Sequence, residues 1–203
     1  MKNHPLPKRF YARSALKVAP ELLGKILCRE RNGVVTAGRI VEVEAYLGSE
    51  DPASHAYRGK TPRNEVMFGP PGHAYVYFTY GTHFCVNVVT GREGEASAVL
   101  IRALEPIEGI GVMQRRRNRT KLEELASGPG KLTQALSIGR RLNGNALGQK
   151  PLWICDGRNH EPVEFETTAR IGITRGVEWP YRFAVAGSRF VTSRSARSRP
   201  PGG

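Results

Sequence analysis

The strongest constraint on the fold is a two-residue turn near the N-terminus. Asn32-Gly33 lies between two apolar, β-rich runs in KILCRERNGVVTAGRIVEVEAY. Asn-Gly readily adopts the positive φ angles that a two-residue hairpin turn requires. The two runs are therefore predicted to pair as antiparallel strands. HAYVYFTYGTHFCVNVV predicts a second hairpin, with arms over 75–78 and 84–89 and a tip over 79–82.

The remaining elements favour an α+β class. SALKVAPELLG predicts a helix over 14–24, which Ser14 can cap and Pro20 weakens. SAVLIRAL predicts a strand over 97–104, and glycine-weakened helical patterns cover 107–126 and begin again near Gly130. Three further strand candidates are PLWICD (151–156), ARIGIT (169–174) and RFAVAGSRFVT (182–192). We expect one domain over 1–193, built on an antiparallel sheet, and a disordered basic tail over 194–203.

Length and composition agree with one folded domain. The chain has 203 residues, of which 39% are hydrophobic. It contains no apolar run near the ~20 residues of a membrane span, and MKNHPLPKRF lacks the apolar core of a secretion signal, so we expect a cytoplasmic protein. Cys28, Cys85 and Cys155 are widely spaced within apolar stretches, which favours buried, inert thiols over disulfides or a zinc ribbon.

The charge of the chain points to a polyanionic partner. Lys and Arg number 31 against 18 Asp and Glu, which gives a net charge of +13. Only three of the arginines lie in the last ten residues, so the folded part is itself basic. An arginine-rich excess of this size is typical of nucleic-acid binding. The expected phosphate contacts are Arg63, Lys131, the basic cluster over 115–121 and the tail.

An acidic row lies on the strand VEVEAY. Side chains alternate along a strand, so Glu42, Glu44 and Tyr46 are predicted on one face together with Ile40. Val41, Val43 and Ala45 are predicted on the other. Such a row is either a solvated face or the wall of an active site. By pattern alone, Glu42 is as good a candidate for catalysis as Glu44.

Several other residues have two readings each. Tyr80, at a hairpin tip beside Gly81, either inserts into a base stack or folds back onto its own strand. Tyr75 and Tyr77 share a strand face and form either a surface for an extracted base or an aromatic core layer. Asn87 and Arg102 are polar residues within apolar strands. Each is either part of a functional site or a structural hydrogen-bonding group.

Metal and phosphate motifs are weak. The residues Glu50, Asp51, His55, His73 and His83 match no metal-ligand spacing. SGPGKLTQ is not a phosphate loop, because Leu132 follows Lys131 where Ser or Thr is required. A helix N-terminus that receives a backbone phosphate is the better interpretation of this stretch.

Four blocks of sequence resemble one known family. RIVEVEAYLGSEDPASHAYRGKTPRN, MFGPPGHAYVYFTYGTHFCVNVVT, VLIRALEP and SGPGKLTQAL occur in the order seen in alkyladenine (3-methyladenine) DNA glycosylases, most of all the bacterial members. The resemblance extends from about Phe10 to Ser193. It implies a curved antiparallel sheet with flanking helices and a protruding hairpin. It also implies a monomeric, monofunctional enzyme, with no metal or other cofactor, acting on double-stranded DNA that contains damaged purines.

The resemblance also implies roles for individual residues. Glu44 matches the general base that activates water, and Arg102 matches an arginine near that water and the DNA backbone. Tyr80 matches the side chain inserted in place of the flipped base. The residues that match the base pocket are Tyr46, His55, Tyr77 and Asn87, the last of which disfavours normal guanine.

Thr82 departs from the family, whose familiar members have a bulkier apolar residue there, and the basic tail is not part of the family pattern. A metal-dependent nuclease or hydrolase, and a non-catalytic DNA-binding module, remain the alternative functions.

Overall fold

A single curled sheet organises the fold. The computed structural model describes residues 4–157 and 163–192, and within these ranges nine strands form one antiparallel sheet. The strands are β1 (Ile26–Arg31), β2 (Val34–Tyr46), β3 (Ala74–Thr79), β4 (His83–Thr90), β5 (Ser97–Glu108), β6 (Gly148–Gln149), β7 (Leu152–Cys155), β8 (Phe165–Thr168) and β9 (Arg182–Val185). Their order is β3-β4-β5-β2-β1-β7-β6, while β9 pairs with both β2 and β8. The predicted α+β class is confirmed.

Both predicted hairpins form. Asn32 and Gly33 take φ angles of 51° and 74°, and Arg31 pairs with Val34 across the turn. In the second hairpin, Thr79 pairs with His83, so three residues form the connection. Local turn chemistry therefore determines which strands are neighbours at both places.

The helices are short. They are α1 (Lys8–Tyr11), α2 (Ala15–Leu22), α3 (Ile110–Arg117) and α4 (Pro129–Ala135). Short 3₁₀ turns cover Gly48–Glu50, Glu65–Phe68, Leu122–Glu124 and Arg140–Leu142. The Ser14 hydroxyl caps α2, as predicted, by accepting a hydrogen bond from the Leu16 N–H. Pro20 lies inside α2, which ends two residues later.

The two faces of the sheet differ. On one face, alternate residues such as Val43, Val86 and Ile101 pack with the buried side chains of α2 and α4 in the main hydrophobic core. On the opposite face, Tyr75 and Ala98 join a smaller cluster with Ala56 and Met67 from the loop that follows β2. This second face also carries the polar residues predicted for the site.

The strand β2 has neighbours on both edges. It pairs with β5 on one edge, while β1 and then β9 occupy the other. A bulge leaves Val41 without a partner between the pairs Ile40–Leu104 and Glu42–Ala103. Ile40 therefore lies in the main core with Val43, and the prediction that it shares the face of the glutamates was wrong. Val41 packs separately, against Ala103 and Phe190.

Other element predictions need correction. The predicted strand ARIGIT is irregular, and the regular strand β8 precedes it. The strand predicted over 182–192 ends at Val185, and β5 continues to Glu108, past its predicted end at Leu104. The helix predicted over 107–126 consists of α3 and a separate 3₁₀ turn. The predicted boundary after 193 and the tail over 194–203 lie outside the described residues.

The cysteines are buried, as predicted. The Sγ atoms of Cys28 and Cys155 lie 3.8 Å apart between β1 and β7. In the part of the chain that the structure describes, no helix is long and apolar enough to cross a membrane.

Candidate active site

A cavity of about 560 Å³ opens on the second face of the sheet. Its walls come from strands β3 to β5, the end of β2, the loop over 52–58, the hairpin connection and the segment 171–175. Six of the predicted site residues line it: Tyr46, His55, Tyr77, Tyr80, Asn87 and Arg102. The structure thus brings together residues that lie up to 56 positions apart in the sequence.

One wall of the cavity is aromatic. The His55 and Tyr77 rings lie with centroids 4.5 Å apart, and the Tyr75 and Tyr77 rings with centroids 5.2 Å apart. The Tyr75 hydroxyl and His55 Nδ1 are 2.9 Å apart, within hydrogen-bonding distance. The Arg63 guanidinium lies 5.4 Å from the Tyr77 ring centroid. Flat rings at these spacings suit a planar, electron-poor ligand.

The charge state of His55 follows from these surroundings. Burial among the rings, together with the smaller effect of the nearby Arg63 charge, lowers its pKa from 6.5 to about 4. The imidazole is therefore neutral at physiological pH. The loop that carries it is ordered by Asn64, whose Nδ2 donates to the His55 carbonyl at 2.8 Å and to the Gly59 carbonyl at 3.0 Å.

Glu44 lies directly behind the cavity. Its carboxylate is fully buried and does not reach the cavity surface. Oε1 accepts the Ile171 N–H at 2.7 Å and lies 3.2 Å from Arg102 Nη1. Oε2 accepts the Tyr46 hydroxyl at 2.9 Å. All three donor residues line the cavity, so the Glu44 carboxylate lies immediately behind the cavity wall.

Glu42 is equally buried and turns toward two arginines. Its Oε1 accepts from Arg102 Nε and from Arg182 Nε, each at 2.8 Å. Its Oε2 accepts the Thr192 N–H at 2.5 Å. Burial alone would raise the pKa of Glu42, but Arg102, Thr192 and Arg182 together lower it below its usual value. Glu42 does not line the cavity, which Arg102 separates from it.

Arg102 therefore bridges the two carboxylates that the strand pattern alone could not rank. Burial would lower its pKa, but Glu44 and Glu42 outweigh that effect and raise it. Two glutamates face two arginines, so the buried charges balance. Among the described residues, His, Cys, Asp and Glu side chains do not gather in groups of three or more that could hold a metal ion.

Sequence reasoning missed Arg170. Its buried guanidinium forms a two-pronged ion pair with Asp51, with contacts of 2.5 and 2.9 Å. It also donates to the Ala45 carbonyl at 3.0 Å and lies 4.7 Å from the Tyr46 ring centroid. Arg170 thus fixes Tyr46 and the backbone of Ile171, two walls of the cavity. An arginine inside an apolar stretch was a usable signal, as it was for Arg102.

Tyr80 is the most prominent residue at the mouth of the cavity. It is 77% exposed and adopts a positive φ of 50°, which is uncommon for a residue other than glycine. Its ring centroid lies 5.9 Å from that of His83. The prediction of an exposed tip residue is confirmed, and Tyr80 does not fold back into the core.

The residues predicted to contact phosphates differ in their exposure and in whether they already have partners within the protein. Lys131 is exposed on α4 and lies 3.4 Å from the Ser127 hydroxyl. Arg117 donates to the Leu125 carbonyl, and Arg119 pairs with Glu124. Arg63 is exposed beside the aromatic wall.

Comparison with known proteins identifies relatives over nearly the whole chain. A family model described as Methylpurine-DNA glycosylase matches residues 9–189. A relative from Carboxydothermus hydrogenoformans is 55% identical over 190 residues, covering 93% of this chain and 99% of its own. One from Methanoculleus marisnigri is 55% identical over 192 residues with the same coverage, and one from Rhodopseudomonas palustris is 54% identical over 188 residues, covering 93% and 90%. Each is provisionally named 3-methyladenine DNA glycosylase.

Replacement of Arg170 tests its role in holding the site. Arg170→Met leaves the Asp51 charge buried and unpaired, so we expect the free energy of unfolding to fall by about 3–5 kcal/mol. Adding Asp51→Leu should restore part of the loss. Arg13→Met breaks the exposed pair with Glu21 and should cost about 1 kcal/mol or less. Urea unfolding of the variants measures the difference, and equal losses for Arg170→Met and Arg13→Met would contradict the assignment.

The pKa of His55 gives a second test. An NMR titration of its imidazole should show a midpoint well below 6.5. Arg63→Gln should raise that midpoint, whereas Lys60→Gln, which removes a charge paired with Glu65, should leave it in place. Because unfolded His55 takes up its proton near pH 6.5 and folded His55 only near pH 4, its contribution to stability is lost as the pH falls between those values. A midpoint at or above 6.5 would refute this.

Proposed function

The chain belongs to the methylpurine-DNA glycosylase family, and on that premise we propose that it flips a damaged purine out of duplex DNA and hydrolyses its N-glycosidic bond with a water molecule held at Glu44. Membership of the family makes it a monofunctional 3-methyladenine DNA glycosylase that acts on damaged DNA. The flipping step, the catalytic water and the roles of single residues are proposed here from the geometry of the site.

The position of Glu44 carries the proposal. Among the residues that the structure describes, only Tyr46 donates a hydrogen bond to Oε2, although a carboxylate oxygen can accept about two. The remaining acceptor capacity is assigned to the attacking water. Glu42 is the weaker candidate, because its carboxylate already binds two arginines and the Thr192 N–H on the far side of Arg102.

The chemistry needs one base and one negative charge. The water oxygen forms a bond to C1′ of the deoxyribose as the bond from C1′ to the base nitrogen breaks, and its electron pair leaves with the base. The proton released by the water passes to Glu44. The carboxylate also offsets the positive charge that develops at the sugar, while Arg102 holds the carboxylate in place. An alkylated, cationic purine leaves as a neutral molecule, so little acid catalysis is required.

The cavity suits a flipped base. Tyr46, His55 and Tyr77 supply aromatic surfaces, and the neutral state of His55 avoids repulsion of a cationic purine. Asn87 lies on the cavity floor, where its Nδ2 donates to the Tyr75 carbonyl at 3.1 Å. An amide held in that orientation crowds the exocyclic amino group of guanine. We therefore assign to Asn87 the role of excluding normal guanine from the cavity.

Glu44→Gln tests the catalytic assignment. The variant keeps the size of the side chain but loses the negative charge and the base, so single-turnover release of 3-methyladenine should fall by about 10²–10⁴-fold. Binding to a lesion duplex should persist, and base release by the native protein should survive a chelator.

Glu42→Gln is the matched control. It leaves Arg102 and Arg182 short of a buried partner, so the free energy of unfolding should fall, while base release at saturating DNA should be affected less than in Glu44→Gln. If Glu42→Gln is the inactive variant and Glu44→Gln retains near-native release, the assignment of the base is wrong.

Tyr80→Ala tests the wedge. Stacking on a base is worth about 1–3 kcal/mol, so the dissociation constant for a duplex with an abasic-site analogue should rise by about 5- to 150-fold. The thermal midpoint should stay near that of the native protein, because the ring is exposed. Tyr80→Phe keeps the ring and should bind almost as well. Fluorescence anisotropy measures both, and unchanged binding of Tyr80→Ala would exclude the insertion role.

A further inference from the structure

Two arginines contact residues at and just beyond the C-terminal end of α4, and two more lie close enough to Arg116 to repel its charge. Arg31 donates to the Ser137 hydroxyl, and Arg116 Nη1 donates to the Ala135 carbonyl at 2.9 Å. Arg29 shares the strand face of Arg31, two positions away on β1, and Arg115 adjoins Arg116 on α3. Two elements far apart in the sequence therefore direct positive charge to one surface, which we name the arginine cluster.

The arginine cluster forms no ion pair in the part of the chain that the structure describes. Among the described residues, none of its four members lies within ion-pair distance of a carboxylate, whereas surface arginines such as Arg39 and Arg189 do. Glu30, next to Arg29 in the chain, pairs with Lys150 instead. Burial, together with repulsion from Arg31, Arg29 and Arg115, lowers the pKa of Arg116. Arginine stays protonated regardless, so the repulsion is unrelieved until an anion binds.

Hydrogen bonds hold the cluster in place. Arg29 Nη1 donates to the carbonyls of Glu30 and Pro151, at 2.6 and 3.2 Å. Arg31 and Arg115 remain exposed. Arg115 also lines a surface cleft of about 430 Å³ that includes Lys121 and the ion-paired Arg119. Half-buried, anchored guanidinium groups behind two exposed ones form a preorganised surface for phosphate oxygens.

The helix α4 relates this surface to the cavity. Pro129, its first residue, lines the cavity, and a Cβ added at Gly130 would lie 2.6 Å from the His83 ring beside Tyr80. The seven residues of α4 span about 10 Å, at 1.5 Å per residue. The arginine cluster therefore begins about 10 Å beyond the mouth of the cavity. DNA advances about 3.4 Å per nucleotide along each strand, so this corresponds to about three base pairs.

We propose that the arginine cluster binds the backbone phosphates of one arm of the duplex, about three to six base pairs from the flipped nucleotide. The inference rests on the proposed function, which places the flipped nucleotide in the cavity. The cluster contacts no base and supplies affinity without sequence preference. It serves one arm only, because α4 leads away from the cavity in a single direction.

The salt dependence of binding tests the proposal. The variant Arg31→Ser/Arg115→Ser removes the two exposed members, and its binding to a duplex of about 25 base pairs with an abasic-site analogue is measured from about 50 to 200 mM salt. Each lost phosphate contact lowers the slope of log affinity against log salt by about 0.9, so the native protein should lose about tenfold more affinity over this range than the variant. The control Arg39→Ser/Arg189→Ser removes the same charge from ion-paired positions and should keep the native slope.

Asymmetric duplexes test the one-arm geometry. With the analogue about two base pairs from one end, the missing arm removes the contact, and native protein and variant should then bind alike. When the opposite arm of the duplex is shortened, the native protein and the variant should again differ in the salt dependence of their binding. Equal slopes for variant and control, or a difference that persists with either arm shortened, would overturn the proposal.

Single-turnover base release separates this inference from the proposed function. A native protein that binds with the predicted slopes but releases no base would contradict the proposed function and leave the arginine cluster intact.

Discussion

The structure depends on one buried arrangement of charges, in which Arg102 lies between Glu42 and Glu44. Removing an ion from water costs several kcal/mol, and the cost is offset only when partners and hydrogen bonds are complete. Arg102 comes from β5 and Arg182 from β9, the two strands that flank this part of β2. Glu42 and Glu44 can therefore be buried only when β5 and β9 both pair with β2 in the observed register. The same condition assembles the cavity, because Arg102 and Tyr46 form its walls.

The sequence predicted the features that local chemistry controls. Asn32-Gly33 and the connection at Tyr80 produced the two hairpins, and strict alternation placed Tyr75 and Tyr77 on the cavity side. The resemblance to known glycosylases supplied six of the residues that line the cavity, and the structure brings them together. Alternation alone could not distinguish Glu42 from Glu44 as the catalytic base, because it places both on the same face of β2. In the structure both are buried and both contact Arg102.

Long-range contacts account for the failures. ARIGIT has the composition of a strand, but the Ile171 N–H donates to Glu44 and Arg170 turns inward to Asp51, so that backbone is unavailable to a sheet. The bulge at Val41 places Ile40 on the face opposite to the one predicted. The bulge arises from the pairing of β2 with β5, which the residues of β2 alone do not reveal. In each case, a partner more than 60 positions away overrides local preference.

The segment after residue 163 completes the site from outside the main sheet. It supplies Ile171 to Glu44, and Arg182 and Thr192 to Glu42, so each carboxylate has at least one donor from this segment. Without it, two buried carboxylates would share one arginine, an arrangement that costs more than it stabilises. Arg170 fastens the segment to the loop after β2 through Asp51. The geometry of the candidate base is thus coupled to closure of the C-terminal segment over the sheet, although no residue of that segment belongs to the acidic row.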